Sequence, residues 1–202
     1  MITTPYKPNM GQKILTDGNK FSVDRAFLAH YHLSAGDAAA ADIDAVLAAV
    51  NGAAHMAITE GITNPAVPRN ITATAGGTAA SIKAIQVTIT GTNFADEEIT
   101  ETLPAFTTDT AGTVEGNKAF KTITKIDIPA HDATSATTSI GFGEKLGLPY
   151  KLKHNTILKT FFDNALEGTA PTVTMSATAI ESNTIDLNSA LNAKEVDIYL
   201  MV

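Results

Sequence analysis

From residue 71 to the end of the chain, apolar side chains repeat with a period of two. Ile85, Val87 and Ile89 alternate with Gln86, Thr88 and Thr90, which gives that run one apolar and one polar face. Gly91-Thr92-Asn93 turns the chain, and Ile99 and Leu103 share a face opposite Thr100 and Thr102 until Pro104 ends the run. Between Lys118 and Ile128 the phase slips, because Ile123 is out of step with Ile126 and Ile128; a β-bulge near Thr124-Lys125 restores the register. Ile140 and Phe142 mark a short strand followed by a turn-rich stretch from Gly143 to Pro149. Ile157, Lys159 and Phe161 alternate and read as a strand, and Val173 and Met175 share a face of another. The last run is the cleanest: Val196, Ile198, Leu200 and Val202 point one way, Asp197, Tyr199 and Met201 the other. About seven or eight short strands separated by turn residues predict a mainly β fold, an antiparallel sandwich or barrel. No βαβ alternation is present, which argues against a nucleotide-binding α/β fold.

The first third reads differently. Ile43, Val46, Leu47 and Val50 fall at i, i+3, i+4 and i+7 among alanines, the residue of highest helix propensity. Ser34 or Asp37 can cap such a helix and Asn51-Gly52 can stop it, so one α-helix is predicted over 38–50. Residues 1–33 carry Pro5, Pro8, Gly11 and Gly18 with no dominant period, and read as an extended N-terminal arm. The apolar residues scattered along it make free disorder unfavourable, so Ile14, Leu15, Phe21, Phe27 and Leu28 are candidate assembly contacts. In the segment Ile62 to Ile71, Pro65 and Pro68 restrict φ and bias the preceding residues toward extended geometry. That segment reads as a stiff connector entering a strand. The expected organisation is an arm over 1–37, a helix and connector over 38–61, and a β-sandwich domain over 62–202.

Composition narrows the function classes. The chain has 202 residues, enough for one domain with an appendage; 44% are hydrophobic, and only 17% are charged. Threonine supplies much of the remaining polarity, as suits half-buried strands. A net charge of −7 argues against a nucleic-acid partner, which would require basic patches. Lys145, Lys151, Lys153 and Lys159 form only a mild concentration and read as a solvated face. With no cysteine, neither disulfides nor thiolate metal sites can form. Residues 1–8 have no apolar core of a secretory signal, and no run of about 18 apolar residues predicts a membrane span. Asn70-Ile71-Thr72 matches a glycosylation sequon, which carries little weight without a secretory signal.

Candidate chemical groups are few. His30 and His32 are the best metal-ligand candidates, since alternate spacing in an extended segment puts both imidazoles on one side, with Asp37 and His55 nearby. No third ligand lies at a fixed helical or hairpin offset, so structural or surface histidines are the preferred reading and no metal is assigned. Asp96-Glu97-Glu98 with Glu101 crowds carboxylates, yet it lacks the calcium-loop pattern and reads as a solvated hairpin tip. Gly141 to Gly147 has the wrong spacing for a phosphate loop and reads as a β-turn between strands. His131-Asp132 lies in a Ser/Thr-rich loop without a nucleophile signature. The residues supply no catalytic constellation, and no cofactor is expected.

Several segments carry a resemblance. Ile62 to Ile71 resembles a recurring segment of tailed-bacteriophage virion structural proteins. So do Thr88 to Asn93 followed by Glu98 to Thr102, then Gly116 to Ile123, Gly143 to Pro149 and the ending Glu195 to Tyr199. The likeness covers roughly residues 60–202 and rests on these segments occurring in order. It implies a non-enzymatic virion component, a capsid decoration or cement protein with an immunoglobulin-like or jelly-roll-like sandwich. Such a protein is made in the bacterial host cytoplasm and resides on the outer capsid surface. Its partners would be the major capsid protein and further copies of itself, as a trimer or dimer, with neither nucleic acid nor membrane involved. The alternative within this class is a tail, neck or baseplate component. A glycan-binding adsorption module ranks below both, because it calls for an aromatic platform, and aromatics are 6% of the chain with no Trp.

Overall fold

The computed structural model describes residues 27–202 and, ahead of them, the backbone of two short strands, β1 (Ile14–Leu15) and β2 (Ser22–Val23), which pair antiparallel. The strands that follow are β3 (Leu28–Leu33), β4 (Asp42–Asn51), β5 (Met56–Ile58), β6 (Arg69–Gly77), β7 (Thr88–Thr92), β8 (Glu98–Thr102) and β9 (Gly112–Phe120). The second half contributes β10 (Thr122–Ile128), β11 (Ala136–Gly147), β12 (Ile157–Phe162), β13 (Ala165–Leu166), β14 (Thr172–Thr174), β15 (Thr184–Asp186) and β16 (Val196–Met201). The fold is mainly β, as the period-two pattern predicts, with antiparallel sheets. Among the described residues, the only helical geometry is two single 3₁₀ turns, Ala79–Ser81 and Ile180–Ser182.

Three sheets organise these strands. One has the order β5-β10-β7-β8; a second runs β14-β15-β11-β6-β9, with β4 also paired to β11; the third is β13-β12-β16-β3. The first two face each other as a sandwich. Ile71, Ala73 and Ala75 of β6, Val46 of β4 and Ile140 of β11 pack there with Ile89, Ile99, Ile123, Ile126 and Ile128 from the opposing sheet. A second core lies between the third sheet and the far end of β11. It gathers Leu33, Val196, Ile198 and Leu200 with Leu146, Ile185 and the loop residues Leu148, Leu152, Leu187 and Leu191. Each such side chain fully buried contributes about 1.5–3 kcal/mol, so both cores are substantial.

The helix expected over 38–50 is not formed; residues 42–51 are strand β4. The spacing that mimics a helix comes from irregular pairing. Between Thr138 and Ile140 of β11 the opposing residue moves from Val50 to Leu47, and between Ile140 and Phe142 it moves from Leu47 to Asp42. Each shift inserts extra β4 residues and resets which side chain faces the core, so a bulged strand shows apolar residues three and four apart. The helix preference of alanine, a few tenths of a kcal/mol per residue, is outweighed by burying Val46 and pairing an otherwise open edge of β11. Gly141 permits this approach, since a Cβ there would fall on the Asp42 carbonyl.

The expected N-terminal arm also needs correction. Residues 28–33 form an edge strand of the chain's own third sheet, paired to β16 from Val196↔Leu33 to Met201↔Leu28. Phe27 extends that pairing, its N–H donating to the Val202 carbonyl at 2.7 Å and its carbonyl accepting the Val202 N–H at 2.9 Å. The alternation of Ala29, Tyr31 and Leu33 toward the second core explains why this segment docks. Gly143 to Gly147, expected to turn, instead continues β11; Gly143 falls within the register shift between Phe142 and Leu146, and Gly147 pairs with Thr184 of β15.

Other sequence features fall where expected. The bulge in β10 lies between Ile123 and Lys125, opposite Gly91, at which a Cβ would meet the Thr122 carbonyl. The Pro65 to Pro68 segment leads directly into β6, and its Asn64 side chain accepts the Ile123 N–H at 2.7 Å. The threonines of the polar faces pair as hydroxyls across strands: Thr88 with Thr102 at 3.1 Å, Thr92 with Thr122 at 2.7 Å and Thr74 with Thr113 at 2.8 Å. Such pairs are the sheet counterpart of helical i,i+4 contacts.

Arg69 ties the two cores together. It is buried, and its guanidinium donates to the Gly143 carbonyl through Nε at 2.8 Å and through Nη2, and to the Ala39 carbonyl at 2.8 Å, while lying 4.4 Å from the centre of the Phe142 ring. Burial pushes its pKa down to about 10, and the nearby Glu144 carboxylate opposes that shift. Glu144 in turn accepts the Ala41 N–H at 2.7 Å and the Leu191 N–H at 2.6 Å.

Candidate functional site

The one convergence of metal-ligating side chains among the described residues lies on the outer face of the third sheet. Alternation along β3 sends Leu28, His30 and His32 outward and Ala29, Tyr31 and Leu33 inward. Along β16, Val196, Ile198 and Leu200 are buried, leaving Asp197, Tyr199 and Met201 on the outer side. The antiparallel register sets His32 opposite Asp197 and His30 opposite Tyr199. Directly opposed residues and their diagonal neighbours lie within reach of long side chains, so both imidazoles can meet a single carboxylate.

They do so closely. His30 Nε2 lies 2.6 Å from Asp197 Oδ1, and His32 Nδ1 lies 2.9 Å from that same oxygen. The far nitrogen of His32, Nε2, is 3.6 Å from Glu195 Oε1. His30 stacks on Tyr199 with ring centres 4.5 Å apart and planes only 2° from parallel, and Phe161 of β12 meets Tyr199 edge-on at 5.9 Å. Each histidine side chain retains 44% exposure. The hydrogen bond to Asp197 raises the pKa of His32, and the same bond lowers that of Asp197.

Thus His30 and His32 do share a side, but their sequence neighbours do not join them. Asp37 accepts a hydrogen bond from Ser34 Oγ at 2.7 Å, and His55 pairs with Asp127 at 2.8 Å on the first sheet. The third member is Asp197, 165 residues from His32. The alternation of the last strand marks Asp197 as outward-facing, yet nothing in the sequence says that this strand lies beside residues 28–33.

The remaining candidates have structural positions. Asp96 adopts φ 61 at the turn between β7 and β8 and pairs with Lys121 at 2.7 Å, while Asn93 Oδ1 accepts the N–H groups of Ala95 and Glu97. Glu101 leaves that tip altogether, accepting the Asn117 N–H at 2.7 Å and the Lys118 N–H at 3.2 Å. His131 is buried, and burial lowers its pKa. Asn70 of the sequon is fully buried and donates to the Gly116 carbonyl, so it is inaccessible for modification in the folded chain. Lys145, in the mild lysine concentration, reaches Asn117 Oδ1 at 3.0 Å and Glu115 at 3.6 Å.

Of the candidate assembly contacts, Phe27 and Leu28 are exposed, at 41% and 62%, at the end of β3. Ile14 and Leu15 pair through their backbones with Val23 and Ser22, whereas their side chains and Phe21 lie outside the described residues. No helix of the described chain is long and apolar enough to cross a membrane. No family model, characterised protein or solved structure matches the chain.

Proposed function

We propose that this chain is a non-enzymatic structural protein of a tailed-bacteriophage virion, a decoration protein that binds the major capsid protein shell and stabilises it. The observation that carries the reading is the ordered series of resembling segments between residues 62 and 199. They coincide with framework elements: the entry into β6, the β7–β8 hairpin, the β9–β10 junction, the end of β11 and the start of β16. In this reading the β-module is an immunoglobulin-like or jelly-roll-like sandwich, and the divergent first third supplies what is particular to one capsid.

Two physical features favour a binding role over a catalytic one. The buried polar side chains Arg69, Asn70, His131 and Asn183 direct hydrogen bonds at backbone groups, as structural residues do. The edge strand β3 begins at exposed Phe27 and Leu28. A patch of that kind supplies modest contact energy per copy, and many copies on one shell convert it into firm attachment.

The test is cosedimentation of the purified chain with capsids that lack it, using the full chain, a Phe27→Ser/Leu28→Ser variant and a chain without residues 1–26. Binding by the full chain, with both altered forms impaired, is the expected result. Undiminished binding by both altered forms removes the N-terminal docking role. No binding to capsids, with about a dozen copies per virion instead of hundreds, turns the assignment to a neck or tail component.

A further inference from the structure

We propose that His30, His32 and Asp197 bind a divalent transition-metal ion, of the zinc, nickel or copper class, on the outer face of the β3–β16 ribbon. This inference rests on the side-chain geometry and is independent of the virion reading. Two neutral imidazoles and one carboxylate form a borderline nitrogen/oxygen donor set, which suits these ions and not calcium or magnesium, whose sites are built from oxygen. One donor atom from each of the three residues lies within 4.8 Å of the other two. Metal–ligand bonds of about 2.0–2.2 Å hold neighbouring donors a little over 3 Å apart. In tetrahedral geometry that separation is about 3.3–3.6 Å, so the present contacts of 2.6 and 2.9 Å to Asp197 Oδ1 need to open by roughly half to one ångström, within the reach of side-chain torsions.

The site is supported from behind. A continuous antiparallel register from Leu33↔Val196 to Leu28↔Met201 fixes the two strands against each other. The stacked Tyr199 ring holds the plane of His30, and Phe161 braces Tyr199 in turn. When His32 offers Nδ1 to the ion, its Nε2–H faces Glu195 Oε1 at 3.6 Å. A carboxylate behind a ligating histidine fixes its tautomer and raises its basicity, and it is a recurrent companion of metal-bound imidazole. Three protein ligands leave at least one coordination position open, and the exposure of both histidines makes it accessible to water or to a donor from another chain. Because the ligands come from both strands, a bound ion clips the N-terminal edge strand to the C-terminal one.

Calorimetric titration of the untagged full chain with zinc chloride at neutral pH tests this, with magnesium chloride as the control ion. The expected result is saturable binding of one zinc ion per chain, no response to magnesium, and a rise in thermal midpoint with zinc. His30→Gln and His32→Gln should each abolish the saturable heat, and Glu195→Gln should weaken binding by about tenfold. His55→Gln, altering a histidine on a different sheet, should bind as the parent does. All the altered residues are at the surface, and circular dichroism verifies that each variant is folded. Cobalt(II) offers a second readout, since ligation by nitrogen and oxygen gives visible d–d bands. Absence of saturable zinc binding and of those bands in the parent chain overturns the proposal. Equal zinc affinity in a His30→Gln/His32→Gln double variant does so as well.

Discussion

At His131 the hydrogen bonds specify a protonation state. Its Nδ1 faces the Lys83 N–H at 3.1 Å, and an amide can only donate, so Nδ1 must be the unprotonated nitrogen and Nε2–H the one that meets Thr138 Oγ1 at 3.0 Å. Burial beside Phe106 lowers the pKa of the ring, with Asp132 opposing in the minor sense. The sign of the pH effect follows. Below the ordinary histidine value of about 6.5, the unfolded chain binds a proton that the folded chain resists, so this residue's contribution is complete above that pH and lost as pH falls toward the lowered folded value. His32, whose pKa is raised, acts oppositely, so the comparison must isolate one ring. Urea midpoints at pH 7.5 and pH 5 for the parent and for His131→Gln do so: the parent should lose more stability on acidification than the variant. Equal losses would mean that His131 is not held neutral.

At the element scale, β3 shows what a sequence pattern can and cannot convey. Its alternation is real, yet six residues of mixed Ala, His and Tyr after an irregular stretch resemble an arm more than a strand. Only the open edge of β16 gives them a reason to pair. β4 is the complementary case, in which bulges imitate a helical period, because the partner that causes them lies far along the chain. The docking of β3 has a spectroscopic signature. Burial, aided by the Asp37 charge, pushes the Tyr31 phenol up to about 12. Absorbance titration should therefore show one of the four tyrosines ionising well after the ordinary value of about 10. Tyr31→Phe should remove that late phase; its persistence in the variant would assign it to another tyrosine.

For the whole molecule, the question is whether two hydrophobic cores behave as one cooperative unit. β11 passes through both, placing Ile140 in the first and Leu146 in the second. Between them, Arg69 and Glu144 bind backbone groups from Ala39, Ala41, Gly143 and Leu191, which lie on three separate stretches of chain. Shared strands and shared hydrogen bonds make partial unfolding expensive, so a single calorimetric transition is expected for the parent. Glu144→Ala orphans the N–H of buried Leu191 at a cost of about 1–3 kcal/mol, frees the exposed Ala41 N–H to water, and removes the charge that favours the buried guanidinium. That variant should melt at lower temperature, with its transition broadened or split. An unchanged, single sharp transition would show that β11 alone couples the cores.

The sequence by itself determined the class of fold and much of its local detail. Side-chain period is a property of neighbours along the chain, so the strands at 88–92, 98–102, 157–162 and 196–201, the β10 bulge and the proline-braced entry into β6 were all legible. Tertiary structure alone decided what depends on distant partners. It turned residues 42–51 into a bulged strand by offering them the edge of β11, and residues 28–33 into a sheet edge by offering them β16. It also completed the histidine pair with Asp197, since the third member of a side-chain cluster is set by strand order and register, neither of which leaves a periodic trace in a single chain.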